Sequence, residues 1–315
     1  MKGLSNRIDL HFHVVPPFYR EVAVAAGRGP ARGVYPDFSP ELALELMDER
    51  GIGVAITSVS SPGVHFGDDR SARELSRRCN EYAADLNTRW PRRFGAFATV
   101  PLPDIQGSID EIDHALDVLK FDGVCLFASY DGKYLGDRVF DPIMEQLDAR
   151  GAVVFVHPGM HPSTRLVDLP WPLFMMEYVF DTTRAAINLV FSRALERFPR
   201  IRFILSHAGG VAPYIAWRAS ISPMLDPRMP QLSRDEVFAG FRKFWYDTAL
   251  SPSAATMGCL REIADPQRIV FGSDWPFANA AIVKAADEDR VRALSAQERS
   301  AIDRHTALAL FPRLT

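Results

Sequence analysis

The chain of 315 residues has only three cysteines, no long apolar run and no excess of basic charge. Cys79, Cys125 and Cys259 are widely separated and odd in number, which argues against a disulfide framework and a thiolate metal site and favours a reducing cytoplasm. No stretch approaches the roughly 18 consecutive apolar residues of a membrane-spanning helix, and the N-terminus lacks the apolar core of a signal peptide. A net charge of −3 without any basic cluster makes nucleic acid an unexpected partner. We therefore expect a cytoplasmic protein without a membrane or nucleic-acid partner.

Short runs rich in β-branched and aromatic residues recur along the chain, and each is followed by a longer segment with helical spacing of apolar residues. The runs that predict strands are 7–14, 54–60, 94–100, 123–129, 152–157, 201–207, 244–249 and 268–274. Some are continuously apolar, such as 153–156, as expected for parallel strands covered on both faces. Eight strands that alternate with helices predict an α/β fold, a single (β/α)8 TIM-barrel domain over residues 1–315.

The segments between the predicted strands also carry local signals. Ser39 is a suitable N-cap for the first predicted helix, Pro40 suits its first turn, and Gly51 is suited to end it. Within this helix, Leu42, Leu46 and Met47 are expected to share the apolar face. The long segments 16–38 and 158–172 follow the first and fifth strands, so we expect them to be lid loops on the face where barrel enzymes build their sites.

Five polar side chains lie at the ends of apolar strands. His11 and His13 are two residues apart on the first strand, so both imidazoles point to one face, although such a pair alone fits two hydrogen-bonded barrel histidines equally well. His157 ends the fifth strand, His207 the sixth and Asp274 the eighth. In a barrel these groups converge on one mouth, where imidazoles and a carboxylate suit zinc or a similar divalent ion. The remaining histidines fall in predicted loops or helices and are not expected to bind metal: His65, His114, His161 and His305.

These motifs resemble those of the amidohydrolase superfamily, and in particular its branch that contains aminocarboxymuconate semialdehyde decarboxylase and related aromatic acid decarboxylases. The resemblance covers nearly the whole chain through the segments RIDLHFH (7–13), VHP (156–158), FDTTRA (180–185), SHAGG (206–210), YDTA (246–249) and FGSDWPF (271–277). Within this branch, HFHVVPPFYR (11–20) and SVSSPGV (58–64) are most similar to the 6-methylsalicylate decarboxylases.

The resemblance implies roles for individual residues. His11, His13, His157 and Asp274 would bind the metal, and His207 would handle protons beside it, so that Asp274 and His207 are both possible proton donors. Arg218 would bind a substrate carboxylate, in relatives sometimes across a subunit interface; the alternative is an ordinary surface arginine. Because dimers are common in the family, the resemblance also implies a homodimer or a higher homo-oligomer.

Two departures from the family pattern restrict the expected number of metal ions and the expected class of substrate. Strand four ends in VCLFAS (124–129) and lacks the lysine that binuclear members carbamylate, which favours one divalent ion, zinc first and manganese second. The segment Ser39 to Asp48 has no basic residue, which favours a monocarboxylate over a dicarboxylate. Phe12, Trp171 and Phe277 are expected to offer a flat apolar slot to a planar ring, although most barrel aromatics belong to the core. Three other polar residues of the motifs are interpreted as helix-start or packing residues: Asp181, Arg184 and Asp247.

The expected activity is a metal-dependent, non-oxidative decarboxylation of a hydroxylated, salicylate-like aromatic carboxylic acid, in which the ring carbon is protonated and carbon dioxide leaves. The alternative is a hydrolase or hydratase that acts on an amide, lactone or related carbonyl, because the same ligands serve a metal-activated water. A catalytically inactive barrel that only binds an aromatic ligand would lack a metal ligand or His207, and all five residues are present. Fold alone does not decide between these activities.

Overall fold

In the computed structural model, which describes residues 6–30, 33–166 and 170–314, eight parallel strands form one sheet in chain order. The strands are β1 (Arg7–His13), β2 (Ile52–Ser58), β3 (Phe94–Ala98), β4 (Gly123–Phe127), β5 (Val153–His157), β6 (Arg202–Leu205), β7 (Trp245–Asp247) and β8 (Ile269–Val270). The amide of Leu10 donates to the carbonyl of Phe271 at 3.0 Å, and the amide of Asp274 donates to the carbonyl of His11 at 2.8 Å. These bonds join β1 to the segment after β8, so the predicted (β/α)8 TIM barrel is confirmed.

Helices surround the barrel. The α-helices are α1 (Pro17–Ala25), α2 (Pro40–Arg50), α3 (Asp69–Arg89), α4 (Ile105–Asp113), α5 (Asp141–Arg150), α6 (Glu177–Phe191), α7 (Ala194–Arg197), α8 (Ala212–Leu225), α9 (Arg234–Lys243), α10 (Ala254–Ile263), α11 (Ala280–Ala293), α12 (Ala296–Ser300) and α13 (Thr306–Leu310). One π-helical turn, His114–Val118, continues α4, and another, Ala301–His305, joins α12 to α13. A short antiparallel pair, Ser129–Tyr130 with Lys133–Tyr134, follows β4. No helix in the described part of the chain combines the length and the apolar content needed to cross a bilayer.

Several strands end earlier than the sequence predicts. Strand β6 ends at Leu205, two residues before His207, and β8 ends at Val270, four residues before Asp274. The backbone is left-handed at both site residues, with φ of 53° at His207 and 63° at Asp274, and this conformation cannot continue a parallel ladder. The two side chains therefore project from turns that follow their strands.

The first predicted helix forms as α2, with one difference. The Ser39 hydroxyl accepts a hydrogen bond from the Leu42 amide at 3.2 Å, and Gly51 ends the helix with φ of 67°. The assignment of Leu42 to the apolar face is wrong, because its side chain is 44% exposed. The buried stripe instead contains Ala43 and Met47, which are four residues apart and therefore lie above one another on the helix.

The two predicted lid loops are more structured than expected. Segment 16–38 contains helix α1, which begins with Pro17 in its first turn, so the prediction of a continuous loop is wrong there. The hydroxyl of the buried Tyr19 in α1 donates to the carbonyl of Gly63 at 2.9 Å, which fixes α1 over the loop after β2. Segment 158–172 contains a 3-10 turn at Pro162–Leu166. Residues 31–32 and 167–169 of these two segments lie outside the described residues.

A separate apolar cluster fills the barrel interior beneath the strand ends. The rings of Phe97 and Phe155 are stacked with centroids 5.5 Å apart, and Phe311 from the C-terminal segment packs on Phe97. The other face of Phe155 meets the His11 ring edge-on at 4.9 Å. The interior cluster is therefore the floor on which the polar strand ends rest.

Glycine at the start of β4 allows a close contact with β5, which gives a stability prediction. A Cβ atom at Gly123 would lie 2.3 Å from the backbone oxygen of Val153 on β5, so we expect Gly123→Ala to lower the free energy of unfolding by about 1–3 kcal/mol through overpacking. Gly258 in α10 is the matched control, because its Cβ would meet nothing within 4 Å. Gly258→Ala should raise stability by about 0.5–1 kcal/mol through its higher helix propensity. Urea denaturation of both variants measures the difference, and equal stability of the two would contradict the packing argument.

Candidate metal centre

Three histidines and one aspartate from the ends of two strands and the turn after a third converge in the mouth of the barrel. The ligand atoms of His11, His13, His157 and Asp274 all lie within 4.8 Å of one another, and all four residues are buried. The Nε2 atoms of His11 and His13 are 3.1 Å apart, and Asp274 Oδ1 is 3.2 Å from the first and 3.1 Å from the second. Ligands about 2 Å from a tetrahedral metal ion are separated by roughly this distance.

The outer nitrogen of each histidine has its own partner. His11 Nδ1 lies 2.7 Å from Asp247 Oδ2, His13 Nδ1 lies 3.3 Å from the carbonyl of Ser58, and His157 Nδ1 lies 2.8 Å from the carbonyl of Pro158. Because each acceptor takes the Nδ1 proton, each Nε2 lone pair is directed to the centre. The donor set therefore fits one divalent metal ion.

The electrostatics of these groups favour a positive charge at their centre. Burial would raise the pKa of Asp274, but the charge of His11 and hydrogen bonds from His11, His13 and His207 hold this pKa well below its usual value. Burial holds the pKa of His157 well below its usual value, so this imidazole is neutral. Burial lowers the pKa of His11, but the charges of Asp247 and Asp274 outweigh it and raise this pKa to about 10. A metal ion therefore takes the place of a proton on His11.

Asp247 is the residue that the sequence interpretation underestimated. Its fully buried carboxylate contacts His11 Nδ1 through Oδ2, while Oδ1 accepts the amide hydrogens of His207 at 2.8 Å and Ala249 at 3.0 Å. It is therefore a positioning residue for the metal centre, and the interpretation as a packing residue was incomplete. The signal was present in the sequence, because Asp247 ends β7 as His157 ends β5.

His207 lies beside the ligand set, with Nε2 at 3.6 Å from Asp274 Oδ2. Its position depends on Gly210, which has φ of 66° and would, with a Cβ atom, come within 2.1 Å of the carbonyl oxygen of Val179 in α6. His207 Nδ1 is buried and has no hydrogen-bond partner among the described residues. Its Nε2 atom thus faces Asp274 at the entrance to the metal centre.

A cavity of about 210 Å³ opens directly onto these groups. Its walls combine the polar residues Ser60, His157, His207, Ser251 and Asp274 with the largely apolar residues Pro30, Phe174, Met175, Tyr178, Val179, Leu250 and Phe277. The described lining contains no lysine or arginine. The cavity is therefore small and largely apolar, and its imidazoles and carboxylate belong to the metal centre or adjoin it.

Only one of the four predicted substrate contacts reaches this cavity. Phe277 lines it, with its ring 5.4 Å from that of His13. Phe12 does not, because strand alternation sends it to the outer face of the barrel, where its buried ring contacts Trp275 at 4.8 Å. Trp171 is 61% exposed and Arg218 is exposed on α8, and neither lines the cavity. The cavity residues that the sequence did not indicate, such as Met175 and Leu250, come from connecting segments without a local motif.

Asp181 agrees with its interpretation as a packing residue, although it lies in the second turn of α6 and not at its start. Asp181 Oδ2 accepts the amide hydrogen of Gly159 at 2.8 Å, and its Oδ1 accepts the hydroxyl of Ser129 at 3.3 Å. It thereby ties α6 to the loops after β4 and β5, and its burial raises its pKa. Arg184 is exposed, and neither residue is part of the described cavity lining.

Comparison with known proteins agrees with this geometry. The sequence profile of the family described as amidohydrolase matches residues 8–313. The 6-methylsalicylic acid decarboxylase of Penicillium expansum is 38% identical over 313 residues, which cover 98% of this chain and 97% of that protein. The crystal structure of 2,6-dihydroxybenzoate decarboxylase complexed with 2,6-dihydroxybenzoate superposes with a TM-score of 0.83 at 26% identity, over 98% of this chain and 99% of the other. A dihydroxybenzoic acid decarboxylase from Polaromonas sp., with bound manganese and the inhibitor 2-nitroresorcinol, gives a TM-score of 0.84 at 25% identity, over 98% and 97% of the two chains.

The contact between Asp247 and His11 predicts the metal affinity of a conservative variant. Asp247→Asn keeps the shape of the side chain but removes the charge that holds the Nδ1 proton of His11, so we expect the affinity for zinc to fall by roughly 10- to 100-fold. Zinc retained after equilibration with graded concentrations of a chelator measures this affinity. Asp226→Asn is the matched control, because among the described residues the carboxylate of Asp226 bonds only with Arg228 at the surface. Equal zinc retention by the two variants would remove the positioning role from Asp247.

Proposed function

Because the chain belongs to the amidohydrolase family, we infer that it is a metal-dependent carboxy-lyase that decarboxylates a hydroxylated aromatic acid without oxidation. The observation that carries this inference is the convergence of His11, His13, His157 and Asp274 at the base of a small apolar cavity. Relatives that are similar over nearly the whole chain include decarboxylases of 6-methylsalicylic acid and of 2,6-dihydroxybenzoate, both of which are hydroxylated benzoic acids.

The size and charge of the cavity support a small monocarboxylate. Its volume of about 210 Å³ lies below the usual range of ligand pockets, which begins near 300 Å³, and therefore suits a single substituted ring. Its described lining offers no cationic side chain to a second carboxylate. Phe277 and the other apolar residues pack on the faces and edges of the ring, and the acidic and phenolic oxygens face the metal centre.

The reaction requires a proton at the ring carbon that carries the carboxylate. A divalent ion held by His11, His13, His157 and Asp274 would supply positive charge to stabilise the anionic oxygens of the substrate. Asp274 and His207, whose Oδ2 and Nε2 atoms are 3.6 Å apart, form the pair that delivers the proton. The carbon–carbon bond to the carboxylate then breaks, its electron pair returns to the ring, and carbon dioxide leaves as aromaticity is restored. The carboxylate–imidazole pair regains its proton from solvent.

We propose that the bound ion is zinc, and manganese is the alternative that an elemental analysis of the purified protein would distinguish. Three imidazoles and one carboxylate are a preferred ligand set for zinc. The related dihydroxybenzoic acid decarboxylase with bound manganese supports manganese. The three cysteines are free thiols and take no part in the centre, which supports the reducing, cytoplasmic location that the sequence predicts.

We also propose that the protein is a homodimer or a higher homo-oligomer through α8. Tyr214, Trp217 and Met224 recur at helical spacing on this helix and are 80%, 59% and 78% exposed, which is unusual for an isolated surface. Arg218 lies on the same helix and does not line the cavity of its own chain. Its predicted contact with a substrate carboxylate therefore requires a second copy of the protein.

The decarboxylase function predicts carbon dioxide release from hydroxybenzoic acids by the metal-loaded protein. We expect turnover of 6-methylsalicylate or salicylate in a coupled carbon dioxide assay, and we expect His157→Ala to lose about 100-fold or more because it removes a metal ligand. His305→Ala is the matched control, because His305 is exposed on the π-helical turn before α13. Fully metallated protein that releases no carbon dioxide from any hydroxybenzoic acid would overturn the proposed function.

The α8 surface predicts the effect of a charge on assembly. Trp217→Glu places a charge in the proposed apolar contact and should shift the protein to a monomer, because desolvating an unpaired carboxylate is costly. Light scattering after size-exclusion chromatography measures the mass. Val118→Glu, at a residue that is 64% exposed on the π-helical turn after α4, should leave the mass unchanged. A wild-type protein that is monomeric at all concentrations contradicts this proposal.

A further inference from the structure

We propose that Leu250 selects aromatic acids that carry an apolar group beside the carboxylate, in preference to acids with a hydroxyl group there; this inference rests on the proposed decarboxylase function. Leu250 lies in the turn after β7 and lines the cavity together with His207 and Asp274. The apolar side chain of Leu250, its position in the cavity and its left-handed backbone conformation each indicate contact with a ligand.

The place of Leu250 follows from the order of the barrel strands. Strand β7 lies between β6, which leads to His207, and β8, which leads to Asp274. These two residues deliver the proton to the ring carbon that bears the carboxylate. A side chain that enters the cavity between their strands therefore faces the position on the ring next to that carbon.

The backbone of Leu250 is unfavourable for a leucine. Its φ of 51° lies in the left-handed region, where a branched side chain crowds its own backbone and where glycine or asparagine is usual. The side chain is nevertheless 42% exposed, so burial in the protein core does not explain a leucine at this position. Strained residues of this kind concentrate at ligand-binding sites, where the bound ligand provides the missing contacts.

The same turn is fixed to the metal centre. The amide of Ala249 donates to Asp247 Oδ1 at 3.0 Å, and the amide of Ser251 donates to the carbonyl of Thr248 at 3.2 Å. Because Asp247 also contacts His11 and His207, the backbone that carries Leu250 is held in a fixed relation to the reacting groups. Leu250 is thus presented rigidly and not by a mobile loop tip.

The apolar side chains that line the cavity together with Leu250 determine which substituent is accepted. Met175 and Val179 belong to the same cavity and, like Leu250, have no hydrogen-bonding group on their side chains. A methyl group on the ring covers these side chains and removes apolar surface from water, whereas a hydroxyl group in contact with them loses its hydrogen bond to water. The preference is therefore for methyl over hydroxyl.

Non-reacting analogues test this selection separately from turnover. The nitro group has the planar shape of a carboxylate and cannot leave as carbon dioxide, so 3-methyl-2-nitrophenol and 2-nitroresorcinol place a methyl and a hydroxyl group at the same ring position. The ratio of their dissociation constants on zinc-loaded protein is measured by titration calorimetry. We expect the wild-type protein to prefer the methyl compound and Leu250→Asn to lower that preference by about 10-fold or more.

Neither substitution of Leu250 should destabilise the folded protein, so a change in the ratio of dissociation constants reports on binding. Asparagine and glycine both adopt the left-handed conformation easily, so Leu250→Asn and Leu250→Gly should be at least as stable to heat as the wild-type protein. Lys120→Asn is the matched control, because Lys120 is exposed, has φ of 57° and lies in the turn before β4 on the opposite face of the barrel. It should gain the same stability without any change in the binding ratio.

The possible outcomes separate the two proposals. A methyl preference that is lost in both Leu250 variants supports the selection, even if no hydroxybenzoic acid is turned over and the proposed function fails. A wild-type protein without a methyl preference, or Leu250 variants that keep the wild-type ratio within about twofold, overturns the role of Leu250 while leaving carbon dioxide release to decide the function.

Discussion

The buried carboxylate of Asp247 is the interaction on which the functional end of the barrel depends. One of its oxygens holds the Nδ1 proton of His11, and the other accepts the amide hydrogens of His207 and Ala249. A single side chain thereby connects β1, the turn after β6 and the turn after β7. Because all of these contacts are buried, they are strong and leave little freedom in the orientation of the groups. His11, His207 and the turn that carries the cavity residue Leu250 are consequently positioned by the same charge.

Backbone strain is concentrated around this carboxylate. His207, Leu250 and Asp274 all have positive φ, with values of 53°, 51° and 63°. Such conformations cost free energy in residues other than glycine and persist where the surrounding contacts fix them. Here the contacts are the hydrogen bonds of Asp247 and the bond from the Asp274 amide to the carbonyl of His11 that closes the barrel. The stability of the closed barrel thus supports the geometry of the reacting groups.

The sequence predicted much of this arrangement, and its errors have physical causes. Alternation of strands and helices is a local pattern, so the barrel was predicted and is confirmed. The family was predicted from short motifs and is confirmed as well. The assignment of Leu42 to the core failed because one turn of apolar residues does not show which side of a helix meets the barrel. Phe12 illustrates a different error: the alternation that directs His11 and His13 inward also directs Phe12 outward, to Trp275.

By itself, the sequence determined the fold and the set of metal-binding residue types, because both follow from periodicities and motifs within a few neighbouring residues. Only the tertiary structure decided how these residues are held and what surrounds them. Asp247 and His11 are 236 residues apart in the chain, and their contact exists only because β7 and β1 reach the same end of one barrel. The cavity wall is likewise assembled from Met175, Leu250 and Phe277, which belong to three different connecting segments. Packing between distant segments leaves no local signal, so only the folded chain shows which side chains meet.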